Sequence, residues 1–201
     1  MITDDEFETL RQKVLGQLGK KLSVNLTYHS VAHTMDVLEK AVEIAKQEGV
    51  NNENEIMLLK VAALFHDTGF LEVYMGHEEK SCFIMRDEVS VLFDKEELEE
   101  ICGMIMATKI PQTPLTRLEE IICDADLDYL GRKDFYSTSD ALKNEFLTYN
   151  IVKNQKEWEE KQISFFENHH YFTATSNNKR STEKQQRLTE LKQKFSLQYG
   201  L

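Results

Sequence analysis

At 201 residues, 41% hydrophobic and 9% aromatic, the chain is long enough to bury one substantial core, and a single domain over 1–201 is expected. A formal net charge of -11 argues against a partner that is a nucleic-acid duplex or an anionic membrane, because both need an excess of Lys and Arg to displace counterions. Only two prolines and eight glycines, among plentiful Leu, Glu and Lys, disfavour a chain of short strands and tight turns and predict an all-α fold.

Residues 4 to about 22 carry Phe7, Leu10, Val14, Leu15 and Leu18 at helical spacing, and Val31, Met35, Leu38, Val42 and Ala45 repeat the pattern over 31–45. Gly49 and the asparagines 51, 52 and 54 mark a turn. Ile56 to Phe65 is then nearly all apolar, which predicts a buried helix. Residues 77–92 and 96–107 read as two further helices, Pro111 and Pro114 impose a loop, and Leu118 to Leu130 reads as another helix ahead of Gly131. Ala141 to Tyr149, Trp158 to Phe166 and Ser181 to Phe195 complete the helical set, the last strongly polar. No internal repeat, low-complexity tract or linker interrupts the chain.

Cys82, Cys102 and Cys123 are widely spaced in apolar contexts, which predicts buried reduced thiols rather than a disulfide framework or a CxxC metal knuckle. The first residues are acidic, and no segment approaches the roughly 18 apolar residues of a membrane helix. A cytoplasmic protein is the resulting expectation.

Three polar intrusions into apolar helices carry the chemistry. Tyr28-His29-Ser30-Val31-Ala32-His33 sets two histidines four apart, on one face if the helix starts near Tyr28. The buried run Ala62-Ala63-Leu64-Phe65 breaks abruptly into His66-Asp67-Thr68-Gly69, and Cys123-Asp124-Ala125-Asp126-Leu127-Asp128 places carboxylates in another apolar run. Such groups are costly to bury unless something pairs them. A divalent cation explains all three together, since two neutral imidazoles and two carboxylates balance its charge and leave positions for water and phosphate oxygens.

With YHSVAH, LFHDTGF and ICDADLDYLG in this order, the sequence resembles the HD-domain superfamily of metal-dependent phosphohydrolases, whose signature H…HD…D lies on a helical bundle. The resemblance covers roughly residues 25–135, with residues 140–201 expected to complete the bundle and wall one side of the pocket. Residue by residue it assigns His33, His66, Asp67 and Asp126 as metal ligands. Ala125-Asp126-Leu127 fits the family pattern better than Cys123-Asp124-Ala125, and Asp124 stays open as the alternative fourth ligand.

The implied function is hydrolysis of a phosphoester in a nucleotide or related small phosphorylated metabolite by metal-activated water, using one divalent ion among Mn, Mg, Fe, Ni and Zn. Asp67 is expected to orient the water, and His29 to act as a general acid or to bind a phosphate or leaving-group oxygen. His77 is a further candidate catalytic residue. Lys109 stands where a helix gives way to the proline loop and is a candidate for catalysis and substrate binding, with Arg132 and Arg180 as substrate-binding candidates alongside Lys133 and Lys184. His169-His170-Tyr171-Phe172 reads first as packing and second as a cover over the pocket. Phe70 in HDTGF departs from the HDxGK of cyclic-dinucleotide phosphodiesterases, and the histidines expected of two-metal members are missing between His77 and Asp126. The competing reading is a non-catalytic regulatory module that retains the site to bind a nucleotide. Neither oligomeric state nor metal identity follows from these patterns.

Overall fold

The computed structural model describes residues 2–200, and among them every regular element is helical, as the composition predicts. The order is α1 (Asp4–Lys21), α2 (Val31–Gln47), α3 (Glu53–Phe65), α4 (His77–Val89), α5 (Lys95–Ala107), α6 (Arg117–Asp126), α7 (Phe135–Thr148), α8 (Gln155–Asn168) and α9 (Ala174–Tyr199). Two 3-10 turns, Thr68–Leu71 and Asp128–Gly131, follow α3 and α6. No helix among the described residues is long and apolar enough to cross a membrane. Cys82, Cys102 and Cys123 are free and buried.

Capping chemistry starts the helices where it does. Thr3 and Asp94 form reciprocal capping boxes with Glu6 and Glu97, while Ser30, Asn52, Thr116, Asn154 and Thr173 each offer a side-chain oxygen to a backbone N–H of the first turn. Each such cap contributes about 1 kcal/mol.

The apolar helix α3 lies at the centre. Leu59, Val61, Ala62, Ala63 and Leu64 are fully buried, and α1, α2, α4, α5 and α6 pack around them. Truncating one of these leucines to Ala would cost about 2–5 kcal/mol, through lost burial and the cavity left behind. A second apolar cluster joins Tyr28, Leu127, Tyr129, Leu130, Phe135, Phe166 and Leu188, contributed by the segments flanking α2 and α6 and by α7, α8 and α9. The polar ends of α3 and α6 emerge between these clusters.

Two local expectations are corrected. The helix predicted over 118–130 stops at Asp126, and the chain tightens into the turn Asp128–Gly131. Here a Cβ on Gly131 would lie 2.5 Å from the Arg180 carbonyl, so only glycine lets α9 approach, and Arg180 grips Asp128 through two bonds of 2.7 and 2.9 Å. Tertiary contact with α9 thus overrides the helical periodicity. The second concerns His29: α2 begins at Val31, as its periodicity predicts, so His29 does not share a helix face with His33; Ser30 caps the helix, and the backbone N–H groups of Tyr28 and His29 are taken by the Glu145 carboxylate at 3.0 and 3.2 Å.

Candidate metal centre and adjoining cavity

His33 stands in the first turn of α2, His66 caps the C-terminus of α3, Asp67 follows it, and Asp126 ends α6. Three helix ends therefore converge. His33 Nε2 lies 3.1 Å from Asp126 Oδ1 and 3.4 Å from Asp67 Oδ2, and His66 Nε2 lies 3.1 Å from Asp67 Oδ2 and 3.4 Å from His33 Nε2. Ligand atoms of His33, His66 and Asp126 all fall within 4.8 Å of one another.

The local bonding suits this cluster to a cation. His66 Nδ1–H donates to the Ala63 carbonyl at 2.8 Å, which fixes the tautomer and turns the Nε2 lone pair inward. Asp67 Oδ2 is buried and has no hydrogen-bond partner. A buried carboxylate oxygen left so costs several kcal/mol unless positive charge meets it. A proton on His33 supplies such charge: although burial opposes it, the neighbouring Asp126 and Asp67 carboxylates raise the His33 imidazole to about 10. His33, His66 and Asp126 form the mutually close group, and Asp67 Oδ2 adds a carboxylate beside the two imidazoles; imidazole and carboxylate donors of this kind are what first-row divalent ions accept, so the residues fit a metal ion.

Asp124 faces the other way. Its carboxylate accepts from Phe172 N at 2.9 Å, Thr173 N at 2.8 Å and Thr173 Oγ1 at 2.7 Å, tying α6 to the start of α9. Residues two apart on a helix diverge by about 200°, which is why Asp126 meets His33 while its neighbour serves packing.

Gly69 sets the remaining geometry. A Cβ there would sit 2.0 Å from the His77 carbonyl, so glycine alone lets the Thr68–Leu71 turn press on the start of α4, where Gly69 N–H donates to Ser81 Oγ at 2.8 Å. His77 Nε2 is thereby held 3.5 Å from Asp67 Oδ1. Phe70 stacks between two imidazoles, with ring centroids 4.2 Å from His29 and 3.9 Å from His77. Its ring fills the space between them, the place at which HDTGF departs from HDxGK.

His29 precedes α2 instead of lying on it, yet its ring is 5.9 Å from that of His33. Its Nδ1–H donates to Glu145 Oε1, and Tyr74 Oη donates to the same oxygen at 3.0 Å. Glu145 is completely buried, and despite that burial the His29 contact and the two backbone N–H groups hold its carboxyl below the usual range. Sequence reasoning missed Glu145. It sits on α7 among Asn144, Phe146 and Leu147, with no motif around it, and only packing reveals its partner.

These groups open into a cavity of about 400 Å³ lined at one end by His29, Asp67, His77, Lys109 and Asp126, and walled at the other by α7 and α8. A second cavity, of about 440 Å³, lies behind Tyr28, Asp126 and Tyr129 and is lined by His33, Arg132 and hydroxyls including Ser30 and Thr138.

The basic candidates differ in their placement. Lys109 lines the first cavity with its ammonium on Glu79, both exposed. Arg132 lines the second and bonds Asp36 and Asp134. Arg180 lines neither; its fork is committed to Asp128, and Lys184 is likewise bonded to the Phe166 and His169 carbonyls. Lys133 is exposed and lines neither cavity. His169 packs on Phe165 and Tyr171 outside both cavities, and burial pushes its imidazole down to about 3. Its exposed neighbour His170 packs on Phe172.

Residues 31–129 match the family model of the HD domain, which supports membership of the HD-domain superfamily. No curated protein and no solved structure matches the chain. His29, Glu145 and α7–α9 lie outside the matched stretch.

Proposed function

We propose that the chain is a metal-dependent phosphohydrolase that cleaves a phosphoester of a small phosphorylated metabolite, with nucleotides as the first class to test. The observation that carries this reading is the buried Asp67 Oδ2, which has no conventional hydrogen bond and faces two imidazole nitrogens at the end of a cavity large enough for a small molecule. His33, His66, Asp67 and Asp126 would hold one divalent ion. When bound, that ion supplies Lewis acidity toward a phosphoryl oxygen and makes water more acidic.

The protein groups supply positioning and proton transfer. Asp67 offers its Oδ1 side, near His77 Nε2, to orient a water. His29, with Nδ1 committed to Glu145, keeps Nε2 for the leaving-group oxygen, and Glu145 holds the ring in that orientation. Lys109 at the cavity mouth adds positive charge near an incoming phosphate once it leaves Glu79.

The test is phosphate release from nucleotides, cyclic nucleotides and simple phosphoesters with Mn, Mg, Fe, Ni and Zn, comparing the wild type with His66→Ala and Asp67→Ala. Metal-dependent turnover lost in both variants supports the reading. Stoichiometric metal and tight nucleotide binding without turnover would favour the regulatory module, and absence of metal binding would overturn the site.

A further inference from the structure

The cavity beside the metal centre is chemically lopsided. Away from the His29 and His77 end, its wall is built by Leu142, Phe146, Ile151, Trp158, Phe165 and Phe166 of α7, α8 and the loop between them, all beyond the HD-matched residues. Phe146 and Trp158 meet edge to face at 5.5 Å, so this wall is a packed surface rather than a set of loose side chains.

Polar hydrogens of three side chains that line the cavity are already committed. Tyr74 donates to Glu145 at 3.0 Å, Thr108 to the Ile105 carbonyl at 2.8 Å, and the Gln162 amide to Ser139 at 2.5 Å. Lys161 stands exposed at the rim. A nucleobase edge and ribose hydroxyls brought against this wall would exchange water for hydrocarbon without replacement hydrogen bonds, at a cost an alkyl or aryl group does not bear. Charge points the same way. The polar end carries Asp67, Glu78 and Asp126, no arginine among the described residues lines the cavity, and Lys109 is paired with Glu79. One phosphoryl group can be balanced by a divalent ion there, whereas a polyphosphate chain would lack cationic partners.

We infer that the substrate is a monophosphate ester of an apolar alkyl or aryl body, with the phosphoryl group at the metal centre and the body against the wall of α7 and α8. This rests on the phosphohydrolase reading of the site and departs from the nucleotide that the family resemblance suggests. Phe146, Trp158 and Phe165 become the residues that set specificity, and the HD stretch supplies the chemistry.

Trp158 is the chain's single tryptophan and lines the cavity, so its emission reports occupancy directly. The experiment titrates the full chain with methyl-, butyl- and octylphosphonate and with AMP, with and without Mg2+ or Zn2+, following tryptophan fluorescence and heat. Affinity should rise roughly three- to fourfold per added methylene while the chain still enters the cavity, and octylphosphonate should bind more tightly than AMP. Phe146→Ser and Phe165→Ser, at half-buried positions, should each weaken octylphosphonate roughly tenfold and leave methylphosphonate unchanged. Affinity flat with chain length, AMP bound as tightly as octylphosphonate, or equal losses for both phosphonates in the variants would overturn the inference. Phosphate release separates the two readings: chain-length-dependent binding with no turnover of octyl phosphate defeats the phosphohydrolase alone, while turnover of nucleotides in preference to octyl phosphate defeats the apolar substrate alone.

Discussion

Glu145 and His29, 116 positions apart, form a carboxylate–imidazole pair in which the carboxylate is wholly buried and the imidazole reaches the cavity. The same carboxylate accepts the Tyr28 and His29 backbone N–H groups and the Tyr74 hydroxyl, so one side chain of α7 fixes both the entry to α2 and the ring beside the metal centre. A buried carboxylate is retained at such cost only when its lone pairs are filled, as they are here.

Glu145→Gln keeps the shape and removes the charge. Turnover should fall about 10- to 100-fold with KM little changed, because His29 loses the carboxylate that orients its ring. The stability effect has a defined sign. Since the folded-state carboxyl is held below its ordinary value, its contribution is present above roughly pH 4 to 5 and is lost as pH falls through the depressed value. The gap in melting temperature between wild type and Glu145→Gln should therefore be widest at neutral pH and close on acidification; a gap independent of pH would contradict the charged pair.

Asp124 and Asp126 should separate cleanly. Asp124→Ala removes an acceptor of three hydrogen bonds at a fully buried position and leaves Thr173 N–H unsatisfied, a loss of about 3–5 kcal/mol, yet it should keep stoichiometric metal. Asp126→Ala should keep the fold and lose the metal. Denaturant melts and elemental analysis of the two proteins check this, and metal lost from Asp124→Ala with its stability intact would reverse the assignment.

Metal removal should lower stability. An ion that binds the native state at a hundredfold excess over its Kd contributes about 2.7 kcal/mol, which for a chain of this size corresponds to roughly 5–10 °C in Tm. Chelation should shift the wild type by that amount and leave His66→Ala unmoved; equal shifts would place the bound ion elsewhere.

Gly69→Ala tests the turn that carries the HD pair. With a Cβ only 2.0 Å from the His77 backbone, neither segment can give way cheaply, so a loss of more than about 3 kcal/mol is expected. Metal affinity should fall with it, because Asp67 precedes the turn, and a calorimetric titration reads both consequences.

Arg180→Ala should leave KM untouched. Breaking its fork leaves the buried Asp128 with only the Arg132 guanidinium, 3.6 Å away, and costs about 3 kcal/mol, visible in denaturant melts. A raised KM without lost stability would restore the residue to substrate binding.

What the sequence determined by itself is what local pattern encodes. Sequence patterning located each of the nine helices among the described residues, though α7 and α9 start before the expected 141 and 181, and the abrupt change from Ala62-Ala63-Leu64-Phe65 to His66-Asp67 exposed the candidate ligand pair, because buried polar groups in an apolar run demand an explanation within a few residues. Helix ends were less legible: α6 stops at Asp126 since Gly131 and Asp128 meet Arg180, about 50 positions later, and no window of 118–130 contains that contact. The same reason hid Glu145 and the apolar wall. Their roles arise from α7 and α8 folding back over the HD stretch, and a pairing across more than 100 residues leaves no periodicity in either segment. Local pattern singled out the polar intrusions offered as cation ligands, and tertiary packing decided which way Asp124 and Asp126 face and what lies beside the candidate site.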